Sequence, residues 1–165
     1  MIRPVIKGWD SKNPTVYAAG KIWHAPIFRG LRGQFNINSR WIDYDENHWV
    51  VQRKNILWQR CLEDSTSADI MVIYCDKMDE QQRGVLVEAG QALAAGKYVY
   101  LINSCVSFEA CGASDVAFTC HENFIRLRKG ERLTPETGFR LAVADWRKRK
   151  KMQTQIRTPV ARFAM

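Results

Sequence analysis

The sequence predicts an α/β protein: a three-layer, doubly wound parallel sheet of about five strands, flavodoxin- or Rossmann-like, with helices on both faces. Three observations carry that expectation. Ala68-Asp-Ile-Met-Val-Ile-Tyr-Cys75 is a nearly unbroken apolar run, the pattern of a strand covered on both faces of a parallel sheet. Gly84 to Lys97 then places small and apolar residues at helical spacing. A second apolar run, Tyr98-Val-Tyr-Leu-Ile102, follows at once.

The elements follow in order. Residues 1–14 read as an irregular lead-in that ends at Pro14. Thr15 to Ala19 is a buried strand closed by Gly20, and Trp23 to Leu31 holds a short helix with Pro26 in its first turn. Phe35 to Ser39 alternates in polarity, as a strand near the sheet edge does. His48 to Asp64 is a helix, with Asn47 as its N-cap. After the strand at 69–75 comes a helix over about 80–95, closed by Gly96. Residues 97–103 form the fourth strand, 104–114 a loop, and Asp115 to Thr119 a fifth strand. Thr134-Pro135 opens the last helix, which runs to about Lys151. Residues 152–165 lack clear periodicity and read as a C-terminal arm, so residues 1–165 make one domain.

Composition narrows the function classes. Hydrophobic residues make up 46% and charged residues 25% of the 165, ordinary for a globular protein. No apolar stretch reaches the ~18 residues needed to span a bilayer. The N-terminus has no signal-peptide core, so a soluble cytoplasmic protein with no membrane partner is expected. The five cysteines, at 61, 75, 105, 111 and 120, contain no Cys-x-x-Cys pair, and the three histidines lack ligand spacing; neither a disulfide framework nor a metal site is expected, and no cofactor is implied. The net charge of +8 includes the run Arg147-Lys-Arg-Lys-Lys151. Such a run can grip nucleic-acid backbones. The reading favoured here is a solvated helix end, since cations suit a helix C-terminus and no aromatic residue interleaves them to stack bases.

In doubly wound sheets ligands sit beyond the carboxyl ends of the strands. Here those ends are Ala19-Gly20-Lys21, Ser39-Arg40-Trp41, Cys75 to Asp79 and Asn103-Ser104. Glu88 is the one carboxylate within the helix at 84–96. It lies three residues after Val85 and four before Ala92, and so flanks the expected buried stripe of Val85, Ala89, Ala92, Leu93 and Gly96. On pattern alone it is either a catalytic carboxylate facing the crevice or a flank glutamate favoured by the helix dipole.

Ser67-Ala-Asp-Ile-Met-Val-Ile-Tyr-Cys-Asp76 followed by Gly84-x-x-x-Glu88-x-Gly90-x-Ala92-x-x-x-Gly96-Lys97 resembles the core signature of the nucleoside 2-deoxyribosyltransferase-like superfamily, with its related N-glycoside hydrolases. Val16-Tyr17-Ala-Ala-Gly20 resembles that family's first strand and loop, and the likeness covers most of residues 15–103. It implies attack by Glu88 on the anomeric carbon of a nucleoside or nucleotide, a glycosyl-enzyme ester, and then transfer to a second base or to water. Whether the chain is a hydrolase or a transferase is left open. The resemblance further implies that Tyr17 orients the glutamate and that the protein is a homo-oligomer.

The chain carries Cys61 and Gln82 where the family often has aspartates. Asp76 and Asp79 are then the nearest acids for a proton donor, with Asp64 a weaker candidate. An aspartate at a strand end also serves simply as a turn or cap residue. Gly20, Lys21, Arg40, Trp41, Gly84 and Ser104 are the expected substrate-binding residues: an aromatic ring for the base, and Lys21 or Arg40 for a phosphate. The alternative is a non-catalytic nucleotide-binding module of the same fold, with nucleic-acid association through the cationic run as a further possibility.

Overall fold

The structure, a computed structural model, describes residues 13–44, 51–79, 82–103 and 121–157. Its element order is β1 (Thr15–Ala19), α1 (Ala25–Leu31), β2 (Asn36–Ile37), α2 (Val51–Ser67), β3 (Ile70–Tyr74), α3 (Arg83–Ala94), β4 (Tyr98–Ile102), β5 (Phe124–Leu127) and α4 (Pro135–Arg157). Short 3-10 turns at Ile22–His24 and Arg40–Asp43 follow β1 and β2.

The five strands form one parallel sheet in the order β2-β1-β3-β4-β5. β1, β3 and β4 are almost wholly buried, as their apolar runs require. The chain leaves β1 toward β2 but leaves β3 toward β4. Right-handed crossovers therefore set α1 and α3 on opposite faces. α2 packs beside α3. α4 shares the α1 face, where Phe139 meets Phe28 and Phe35 with ring centroids 5.9 and 5.4 Å apart. A Cβ at Gly138 would collide with Ile102, so a glycine is what lets α4 lie this close to β4.

Local signals set the helix ends. Gly96, at φ +72°, closes α3; its N–H donates to Leu93 O and that of Lys97 to Ala92 O, the double bond of a glycine-terminated helix. Thr134 Oγ1 accepts the N–H of Thr137 at 3.2 Å, capping α4 ahead of Pro135.

Two expectations change. α4 continues to Arg157, so residues 152–157 are helix and not an arm. β2 is only two residues long, because Ser39 Oγ takes over the pairing: it accepts from Ala18 N at 2.6 Å and donates to Ala18 O at 3.0 Å. The strand expected at 115–119 and the cap at Asn47 lie outside the described residues. The fifth strand described is Phe124–Leu127, whose half-exposed residues and interior Arg126 hide it from an apolar-run search.

Candidate active site

The strand order reverses between β1 and β3, which makes the space above their carboxyl ends the favoured ligand crevice of this topology. A cavity of about 490 Å³ opens there, large enough for a small-molecule ligand. Gly20, Lys21 and Ile22 line it from the end of β1, and Trp41 from the end of β2. α2 contributes Leu57, Trp58 and Cys61, one turn apart on one helical face. Gly84, Val85 and Glu88 come from α3.

Glu88 is only 6% exposed. It joins the buried stripe of α3, with Val85, Ala89, Ala92 and Leu93, and does not merely flank it; Gly96 is exposed at the helix end. Burial raises its carboxyl pKa to about 7, against opposing contributions from the Tyr17 hydroxyl and the Cys61 thiol, which favour the ionised form. Among the described residues it is the single carboxylate lining the cavity, which also carries Lys21, Lys54 and Arg83.

Tyr17 and Cys61 sit beside Glu88 on the cavity floor. The two-residue period of β1 turns Tyr17 toward the α2–α3 layer, where it is fully buried. Its hydroxyl makes no hydrogen bond of standard geometry, yet it is close enough to Glu88 and Cys61 for each to raise its pKa further, after burial itself. The Cys61 thiol is pushed up to about 12, chiefly by burial and next by the Glu88 charge, so it stays protonated at neutral pH. The floor is thus a polar cluster with few hydrogen bonds, set in an apolar wall.

The walls are firmly held. Trp41 is buried and donates from Nε1 to Ala18 O at 2.8 Å. A Cβ at Gly84 would lie 3.4 Å from the Trp58 ring, so that ring sits directly over the start of α3. A Cβ at Gly20 would come within 3.0 Å of Tyr74 O, which leaves little room for any other residue at the mouth.

Several expected site residues lie elsewhere. Asp79 is 1% exposed and does not line the cavity. It accepts hydrogen bonds from Trp23 Nε1 (3.1 Å), Gln82 Nε2 (3.1 Å) and its neighbour Asp76 N (2.8 Å), and pairs with His24 Nε2 at 2.8 Å. A carboxylate so engaged ties the loop after β1 to the loop after β3. Asp76 also faces away from the cavity, and pairs with Arg132. Arg40 grips α2, donating from Nε to Asp64 at 2.9 Å and from Nη2 to Glu63 at 2.8 Å. Those bonds raise its pKa, and Arg40 does not line the cavity. Asp64 is buried against Arg40, also outside the cavity. Ser104 lies outside the described residues. The cavity therefore gathers Glu88, Gly20, Lys21, Trp41 and Gly84, with Tyr17 behind Glu88, and leaves out Asp76, Asp79 and Arg40.

The α2 residues were missed as site residues in the sequence. The spacing of Leu57, Trp58 and Cys61 marks a helix face, but nothing local says which crevice that face walls. Among the described residues no group of His, Cys, Asp and Glu is arranged to hold a metal ion, and no helix is long and apolar enough to cross a membrane. No protein-family model matches the chain, nor does any curated protein or solved structure.

Proposed function

We propose that the protein cleaves or transfers the N-glycosidic bond of a nucleoside or nucleotide, with Glu88 as the nucleophile. The observation that carries this reading is the placement of one buried carboxylate on the floor of a cavity at the β1/β3 switch point. A Glu88 carboxylate oxygen attacks C1′ as the C1′–N bond breaks. The bonding pair leaves with the base nitrogen, which takes a proton from solvent, and a glycosyl ester forms on Glu88. Water or a second base then attacks C1′ and releases the carboxylate. Trp58 and Trp41 offer apolar walls for a planar base, and Lys21, Lys54 and Arg83 favour an anionic substrate.

A second reading is binding without turnover. The observation favouring it is the lack of a second carboxylate in the cavity among the described residues, where retaining glycosidases place an acid.

One experiment separates the two. The protein is incubated with a panel of deoxynucleosides and deoxynucleotides, with and without free bases, and released or exchanged base is measured by chromatography. The expected result is turnover by wild type and a loss of at least about 1000-fold in Glu88→Ala. Equal rates in the two proteins remove the enzymatic reading. Saturable nucleotide binding with no product selects the binding module.

A further inference from the structure

We infer that a second cavity, at the carboxyl ends of β4 and β5, binds an oligophosphate: pyrophosphate or the phosphate chain of a nucleotide. The cavity measures about 310 Å³. Three segments place five cationic residues around it: Lys77 from the turn after β3, Arg126 from β5, and Arg128, Lys129 and Arg132 from the loop that follows β5. Two ion pairs among the described residues engage part of this charge. Glu131 pairs with Arg128 at 3.2 Å, and Asp76 pairs with Arg132. Lys77 and Lys129 are exposed and make no ion pair among the described residues. Cations crowded around one small cavity repel one another, and an anion of more than one charge relieves that repulsion. Guanidinium forks beside exposed ammonium groups suit the several oxygens of linked phosphates.

The backbone points to the same place. Asn103 and Arg128 are the two non-glycine residues with positive φ among the described residues, at +61° and +40°, and both line this cavity. Gly130 between Arg128 and Arg132 has φ +93°. Such conformations cost free energy and persist where the surroundings fix them. Asn103 is fixed by three hydrogen bonds: Nδ2 donates to Cys75 O and Leu133 O, both at 3.1 Å, and Oδ1 accepts from Leu133 N at 2.8 Å. They clamp the end of β4 to residue 133, and so anchor the arginine-bearing loop over the cavity. This site shares no lining residue with the cavity of Glu88, and its existence does not depend on any glycosidic chemistry.

The test is calorimetric titration of the full chain at low ionic strength with inorganic phosphate, pyrophosphate and a nucleoside triphosphate. Wild type is compared with a Lys77→Ala/Lys129→Ala double variant, with Lys129→Glu alone as a second variant, and with Arg140→Ala on α4 as control; thermal melts check that each folds. Pyrophosphate is expected to bind saturably, and more tightly than inorganic phosphate. The double variant should weaken it about tenfold or more, and Arg140→Ala should not. Equal affinity for pyrophosphate and the triphosphate identifies the phosphate chain as the whole ligand; tighter triphosphate binding that the lysine variants also weaken identifies a nucleotide. The inference is overturned by the absence of saturable binding, or by affinity unchanged in both lysine variants. Displacement of pyrophosphate by a single-stranded oligonucleotide, with affinity rising with its length, also overturns it in favour of a nucleic-acid surface.

Discussion

Glu88 and Asp79 are buried carboxylates at the same edge of one sheet, in opposite surroundings. Asp79 gathers Trp23, His24, Gln82 and the backbone of Asp76 around its two oxygens. Glu88 has an apolar wall, the Tyr17 hydroxyl and the Cys61 thiol, and open cavity in front of it. Burial alone therefore does not mark a functional acid. A buried acid whose hydrogen-bonding capacity is filled by the protein fixes loops; one left short of partners is costly to the fold and available to a ligand.

The largest expected effect falls on the satisfied acid. Asp79→Ala removes the acceptor for several buried donors and is expected to cost about 3–5 kcal/mol in urea unfolding. A change below about 1 kcal/mol would show that the loops after β1 and β3 do not depend on it.

Glu88 should behave in the reverse sense. Burial raises its carboxyl pKa to about 7 in the folded chain, against the ordinary glutamate value of about 4.5 when unfolded. Between those two pH values the folded state holds the extra proton, so stability falls as pH rises through the window. The accumulated cost is about 3 kcal/mol above the folded pKa. Glu88→Gln escapes it. The variant should exceed wild type in stability by up to that amount at about pH 8, with the difference fading as pH falls from the folded pKa toward the unfolded value. A variant less stable than wild type at high pH would mean that the Glu88 carboxylate is well solvated or paired.

The smallest effects come from Tyr17. Tyr17→Phe removes a hydroxyl that makes no standard hydrogen bond, so stability should change by less than about 1 kcal/mol. The same hydroxyl favours the Glu88 carboxylate, and its loss should raise the Glu88 pKa. If Glu88 is the nucleophile, base release by wild type rises with pH through an inflection near 7, and Tyr17→Phe moves that inflection to higher pH with a few-fold loss of rate at neutrality. An unshifted profile would place Tyr17 in the core alone.

How far the sequence could be read follows from where its signals lie. β1, β3, β4 and the glycine end of α3 are written in contiguous residues: unbroken apolar runs at Thr15–Ala19, Ile70–Tyr74 and Tyr98–Ile102, and Gly96 where φ must be positive. β5 escaped because Arg126 interrupts its apolar pattern, and β2 shrank because the Ser39 side chain replaces a ladder bond. At the cavity, Glu88 could be singled out because it is one acid on an otherwise apolar helix face. The roles of Asp79 and Arg40 could not, since a strand-end aspartate and a loop arginine look alike whether they meet solvent, substrate or a buried partner 24 to 55 residues away in sequence.

The sequence by itself determined the parallel α/β architecture, because hydrophobic period and glycine placement act over a few neighbouring residues. Only the tertiary structure decided which acids are spent on the fold and which one faces empty space. That outcome depends on which donors from distant segments reach each carboxylate, and on where α2 and α3 leave a gap above β1 and β3 that no side chain fills.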